Sequence, residues 1–140
     1  MMKMGLLILA LTTLFFPFPA LARTPSPEGA LVYIISPADG EGVLNPIIIK
    51  FGLQGMGVAP AGVDIKNTGH HHLLIDAKRF PPLDKPIPSD KHHKHFGKGQ
   101  TETVLELSPG IHTLQLIFGD QSHIPFDPPL VSGTVTILVK

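Results

Sequence analysis

The stretch Thr101-Glu102-Thr103-Val104-Leu105-Glu106-Leu107-Ser108-Pro109-Gly110-Ile111-His112-Thr113-Leu114-Gln115-Leu116-Ile117-Phe118 decides the fold. Over residues 101–107 the chain alternates, with Leu105 and Leu107 on one face. Ser108-Pro109-Gly110 is turn chemistry, and residues 111–118 return as a second run. Two period-two runs about a Pro-Gly turn predict an antiparallel hairpin.

The same grammar recurs outward from this stretch. Residues 30–36 form a short apolar run ended by Ser36-Pro37-Ala38-Asp39-Gly40, and residues 46–53 put Ile47, Ile49 and Phe51 on one face. An irregular crossing with Gly52, Gly55, Gly57 and Pro60 reaches the Asn67-Thr68-Gly69 turn, which opens a third strand over residues 70–76. Residues 133–139 close the chain with Val135, Ile137 and Val139 in alternation. No segment carries a helical period, and there is no internal repeat. Six or seven short strands punctuated by Gly and Pro predict an all-β fold, an antiparallel immunoglobulin-like β-sandwich forming one domain over residues 30–140. Two segments lie outside this pattern. Residues 78–98 are rich in Pro, Lys, His and Asp, which predicts no regular element and marks a long functional or partly disordered loop. Residues 119–130 form a second loop, with Pro125, Pro128 and Pro129.

The beginning of the chain sets the compartment. Lys3 provides a positive start, residues 5–19 are apolar, and Ala20-Leu21-Ala22 fits the small-x-small cleavage rule, so residues 1–22 read as a signal peptide cleaved before Arg23. Pro17 and Pro19 interrupt the apolar run, which argues against a retained anchor. The expected location is periplasmic or secreted, with no stable membrane insertion after cleavage and residues 23–29 as a flexible leader. There is no cysteine, so disulfides and thiolate ligands are both excluded. Without Lys3, ten Lys and Arg face eleven Asp and Glu. That balance gives no footing for nucleic acid or an anionic surface.

The eight histidines carry the chemistry. Seven fall near predicted strand ends and loops: His70-His71-His72, His92-His93 with His95, and His123. On a strand, His70 and His72 share one face while His71 points to the other with Leu73 and Ile75. A His-x-His pair places two imidazoles on one ion, and His93 with His95 repeats the spacing. If the strand of His70 lies beside the one ending at Phe118, these groups and His123 converge at one end of the sandwich. The expected metal ligands are His70, His72, His93, His95 and His123, with His71, His112, Asp76 and Asp120 supporting them. An imidazole set suits Cu(II), Zn(II) or Ni(II), and the Irving–Williams order places copper first. Met56 alone among the methionines follows the leader, which argues against a thioether site for Cu(I). Plainer roles stand beside these: His71 as a core histidine, His112 as a structural one with Leu114 and Leu116, and the Lys91-to-His95 run as a solvated basic loop.

Several segments resemble the blocks of a family of exported bacterial domains of unknown function, numbered 4399. They are residues 52–62 (Gly-Leu-Gln-Gly-Met-Gly-Val-Ala-Pro-Ala-Gly), residues 67–76 (Asn-Thr-Gly-His-His-His-Leu-Leu-Ile-Asp), residues 93–102 (His-Lys-His-Phe-Gly-Lys-Gly-Gln-Thr-Glu) and residues 109–116 (Pro-Gly-Ile-His-Thr-Leu-Gln-Leu). The resemblance implies that His70, His71, His72, His93, His95, His112 and His123 stand at histidine positions of the family, with His92 incidental. It also implies a further histidine where this chain has Phe126, so no ligand comes from that position here. It implies no activity.

No His-Glu-x-x-His helix, Gly-x-Ser-x-Gly elbow or cysteine nucleophile is present, and Arg23 cannot serve as an amino-terminal histidine chelate. The expectation is a non-enzymatic, exported protein that sequesters or delivers Cu(II) or Zn(II), with a periplasmic protein as a further partner. The alternative is a structural or adhesion module whose histidines are structural or pH-responsive. For that alternative the chain offers no tryptophan and a single tyrosine, a poor platform for stacking sugars.

Overall fold

The structure is a computed structural model that describes residues 22–140; the expected signal peptide, residues 1–22, lies outside the described residues except for Ala22. Nine strands and no helix occur among the described residues: β1 (Leu31–Ser36), β2 (Gly42–Val43), β3 (Ile47–Gln54), β4 (Gly57–Val58), β5 (Thr68–Ile75), β6 (His93–His95), β7 (Glu102–Leu105), β8 (Gly110–Gly119) and β9 (Val135–Val139). They form two packed sheets. One has the order β1-β3-β7, the other β2-β9-β8-β5-β4, with β6 alongside a further part of β5. The long pairings are antiparallel, while the short pairs β2 with β9 and β4 with β5 are parallel, so the second sheet is mixed.

Alternation puts one row of each long strand between the sheets. Ile47, Ile49 and Phe51 of β3 meet Leu73 and Ile75 of β5, Leu114, Leu116 and Phe118 of β8, and Ile137 and Val139 of β9 in one core. Each such side chain, fully buried, contributes about 1.5–3 kcal/mol. Phe126 joins this core, stacked on Phe118 at a centroid distance of 6.0 Å.

The expected hairpin of residues 101–118 does not form. β7 pairs with β3, Ile47 opposite Leu105, and lies in the first sheet. β8 belongs to the second, where β5 and β9 already occupy both of its edges. The carboxamide of Asn45 takes over where β7 ends, its Oδ1 accepting from Leu107 N at 3.1 Å and its Nδ2 donating to Leu107 O at 2.8 Å. With those backbone groups satisfied by a side chain, Ser108-Pro109-Gly110 carries the chain across to the opposite sheet. Leu105 can then face the shared core from the far side.

The loop over residues 78–98 also differs from expectation. It contains β6, and two apolar side chains hold it down: Phe96 in the main core, and Ile87 in a smaller cluster with Leu74 and Ile117 on the outer face of the second sheet. Ile87 N donates to His123 O at 2.8 Å, which ties this loop to the one after β8. Together the two loops cover the outer face of β5, so His70 to Ile75 is buried on both sides. Residues 23–29, expected as a flexible leader, run along the second loop instead: Asp127 N donates to Thr24 O and Ser26 N to Asp127 O, both at 2.9 Å.

Candidate metal centre

β5 sends its histidines two ways. His71 points into the core, with its ring 5.1 Å from that of Phe51 and 5.0 Å from that of Phe118. His70 and His72 point outward, under the two loops, and both are fully buried. Their Nε2 atoms are 3.0 Å apart. Two nitrogens sharing one ion at about 2.0–2.1 Å stand about 2.9 Å apart at a right angle and about 3.4 Å apart in a tetrahedron, so the pair is spaced for a common ion.

The third ring comes from the neighbouring strand. β6 places His95 directly opposite His72, and its ring lies 5.0 Å from both His70 and His72. His70, His72 and His95 offer ligand atoms that all lie within 4.8 Å of one another. The fourth ring, His123, stands 4.9 Å from His70, 4.7 Å from His95 and 5.8 Å from His72. All four rings are thus mutual neighbours, two on a floor of regular sheet and two on its rim.

Asp120 shapes the turn that presents His123. Its Oδ1 accepts from Ser122 N at 2.9 Å and Ile124 N at 3.0 Å, and its backbone carbonyl accepts from His123 N at 2.9 Å. These bonds hold His123 in the left-handed region, at φ 68°, a conformation that costs a non-glycine residue energy unless its surroundings enforce it. Two glycines give the rings room. A Cβ on Gly119 would come 3.2 Å from His72 Nε2, and one on Gly97 would come 2.3 Å from His95 Cε1 and 2.5 Å from His95 Nε2.

Burial keeps these rings in the form a metal needs. Desolvation, with the charges of His123 and His95, pulls the pKa of His70 down to about 4 against the opposing pull of Asp120. Desolvation, with His70, His95 and His123, pulls His72 to about 2. His95 is lowered as well, by desolvation and then by His123. At neutral pH all three are uncharged imidazoles, able to take a cation without first losing a proton. Nδ1 of His70 and Nδ1 of His72 are buried without a hydrogen-bond partner, a cost of about 1–3 kcal/mol for each such group.

The remaining expected residues lie elsewhere. His93 is on the same face of β6 as His95 but opposite Leu74, with its Nδ1 donating to Asp90 Oδ1 at 2.8 Å, outside the four-ring group. That bond and the His92 N–H hold the Asp90 carboxyl below its ordinary range. His92 Nδ1 donates to Ile75 O at 2.8 Å. His112 sits at the other end of the sheet, its Nδ1 2.7 Å from Asp76 Oδ2 and its Nε2 2.8 Å from Ser108 O. Asp76 therefore serves His112 and the Thr113 N–H, at 2.9 Å, rather than the cluster. Gly97, Gly119 and Ile87 also shape the site, although none stands out in the sequence as a functional residue. A glycine at a strand end, where another chain or ring approaches closely, was the available signal.

The fold and the cluster define an all-β sandwich with a histidine group able to hold a metal ion. Within that class the chain belongs to the family described as Domain of unknown function (DUF4399), which matches residues 49–140 and so spans all four clustered histidines. No curated protein and no solved structure matches it.

Proposed function

We propose that this chain is an exported metal-binding protein that holds one Cu(II) or Zn(II) ion through His70, His72, His95 and His123, for sequestration or delivery to a protein partner. The observation that carries the reading is the gathering of ligand atoms from His70, His72 and His95 within 4.8 Å of one another, with the ring of His123 centred 4.7 Å from His95 and 4.9 Å from His70 and with burial lowering the pKa of the first three. The donor set is all nitrogen and the described residues contain no thiolate, which favours borderline divalent ions, copper first in intrinsic affinity. Export rests on the Lys3, apolar run and Ala20-Leu21-Ala22 pattern. A binding role is preferred to catalysis because the ring of His123, beside the three-histidine group, would fill the position that a catalytic ion keeps open.

The test is calorimetric titration of residues 23–140 with Cu(II) and with Zn(II) at neutral pH, against a competing chelator. One stoichiometric, sub-micromolar site is expected, and it disappears in the His70→Ala, His72→Ala double variant while the folded circular dichroism signal remains. Weak, non-stoichiometric uptake equal in both proteins would reject the reading in favour of structural or pH-responsive histidines.

A further inference from the structure

The family match begins at residue 49, yet a segment before it bonds to the turn that presents His123. Thr24 Oγ1 donates to Asp120 Oδ2 at 2.7 Å. The other oxygen of that carboxylate is the one that accepts the Ser122 and Ile124 N–H groups and so folds the turn around His123. Asp120 is 4% exposed, so water does not compete for it freely. Residues 23–26 are fixed in their turn by the loop beyond His123: Arg23 Nη2 pairs with Asp127 Oδ1, Pro25 bridges to Asp127, and Ser26 Oγ donates to Pro128 O at 2.8 Å. The segment is therefore bonded at both ends of the loop that carries the fourth imidazole.

We infer that Thr24 is the positioning residue for His123, acting through Asp120, on a strap over residues 23–26 that Ser26 fastens only at its far end, to Pro128 O. The inference rests on the metal reading above. The strap does not touch the ion; it decides whether the ion meets four imidazole nitrogens or three. His70, His72 and His95 are held by the sheet itself through β5 and β6. His123 is the one ring whose placement depends on a turn, and the turn depends on a carboxylate whose second oxygen is committed to Thr24. Groups that orient a ligand from behind in this way typically change metal affinity by about 10–100-fold when removed.

The experiment compares four proteins, each as residues 23–140: the unaltered chain, Thr24→Val, Thr24→Ser and Ser26→Ala. Each is titrated with Cu(II) and then examined by electron paramagnetic resonance with pulsed detection of coordinated imidazole nitrogens. Thr24→Val keeps the side-chain shape and removes the hydroxyl. The expected result is a Kd for Cu(II) raised about tenfold or more and the loss of one coordinated imidazole from the spectrum. Thr24→Ser should restore both. Ser26→Ala removes a strap bond remote from Asp120 and should leave the spectrum unchanged. A Thr24→Val spectrum and affinity equal to those of the unaltered chain would overturn the inference while leaving the metal site intact. Equal losses in Thr24→Val and Ser26→Ala would also overturn it, by showing general loosening in place of the Thr24–Asp120 link. Absence of stoichiometric binding by the unaltered chain would instead overturn the metal reading itself.

Discussion

Replacing Gly97 with alanine should damage the metal centre and spare the fold. The added Cβ would fall 2.3 Å from His95 Cε1 and 2.5 Å from His95 Nε2, and 3.2 Å from Ala61 Cβ, a contact that asks the neighbour to give by only a few tenths of an ångström. Ordinary carbon contacts sit at about 3.5–4.0 Å, so the ring must retreat by about 1 Å or more. It has somewhere to go, because His95 is exposed at the rim of the site. The backbone does not resist either, since Gly97 is not among the positive-φ glycines. A glycine-to-alanine change at a compatible conformation stabilises by about 0.4–1 kcal/mol through the unfolded chain, which offsets the cost of turning one exposed ring. The net change in stability should stay within about 1 kcal/mol, a melting shift of a few degrees. Metal binding has no such slack. Ligand distances tolerate about 0.2 Å, so a ring displaced by about 1 Å no longer donates, and affinity should fall at least about a hundredfold, or about 3 kcal/mol. Thermal melting and calorimetric titration of the same preparation read the two effects separately. Unchanged Cu(II) affinity would remove His95 from the ligand set, and an unfolded variant would refute the claim that the exposed ring yields.

Two further predictions bear on the other histidines. His71 is buried between Phe51 and Phe118, where neither ring nitrogen makes a well-formed hydrogen bond and the nearby Gln100 backbone only partly opposes the burial that lowers its pKa to about 4; His71→Leu removes those polar atoms for a side chain of comparable size and should leave stability unchanged or raise it by about 1 kcal/mol, with the metal titration unaltered. A loss above about 2 kcal/mol in denaturant unfolding would mean that the ring makes a bond not apparent in the core. For His112, the hydrogen bond to Asp76 raises the pKa. For Asp76, burial pushes upward, but the bonds from His112 and Thr113 N outweigh it and hold the carboxyl below its ordinary range. A raised histidine contributes stability that is full below its unfolded pKa near 6.5 and is lost as pH rises through the folded value. The lowered carboxyl contributes above its unfolded pKa and loses that contribution as pH falls through its folded value. The pair is partly solvated, so its worth is about 1 kcal/mol. His112→Gln should therefore cost more at pH 5.5 than at pH 9 in urea unfolding, and an equal cost at both would show that the ion pair adds nothing.

Alternation alone located the strand cores. Ile47, Ile49 and Phe51, Leu105, and Val135, Ile137 and Val139 fall on the faces that period-two reading assigns them, because side chains on a pleated strand have no third direction to take. The same rule separated His71 from His70 and His72. Partnership between strands was not legible in that way. Local turn chemistry at Ser108-Pro109-Gly110 suits a hairpin, but β8 had better partners on both edges, and Asn45, sixty-two positions from Leu107, ended β7 in the other sheet.

The sequence by itself determined an all-β chain without cysteine, rich in histidine, with His70 and His72 on one face of one strand. Tertiary structure decided which other rings join them. His93 and His95 share a spacing and a face, and only the register of β6 on β5 puts His95 against His72 and His93 against Leu74. His123 enters through a turn held by Asp120, which is itself bonded to Thr24, ninety-six positions before Asp120 in the chain. Side-chain direction is a property of the local backbone and can be read along the chain, whereas a coordination site needs atoms from separate segments within a few ångströms, and only the packing of those segments sets that distance.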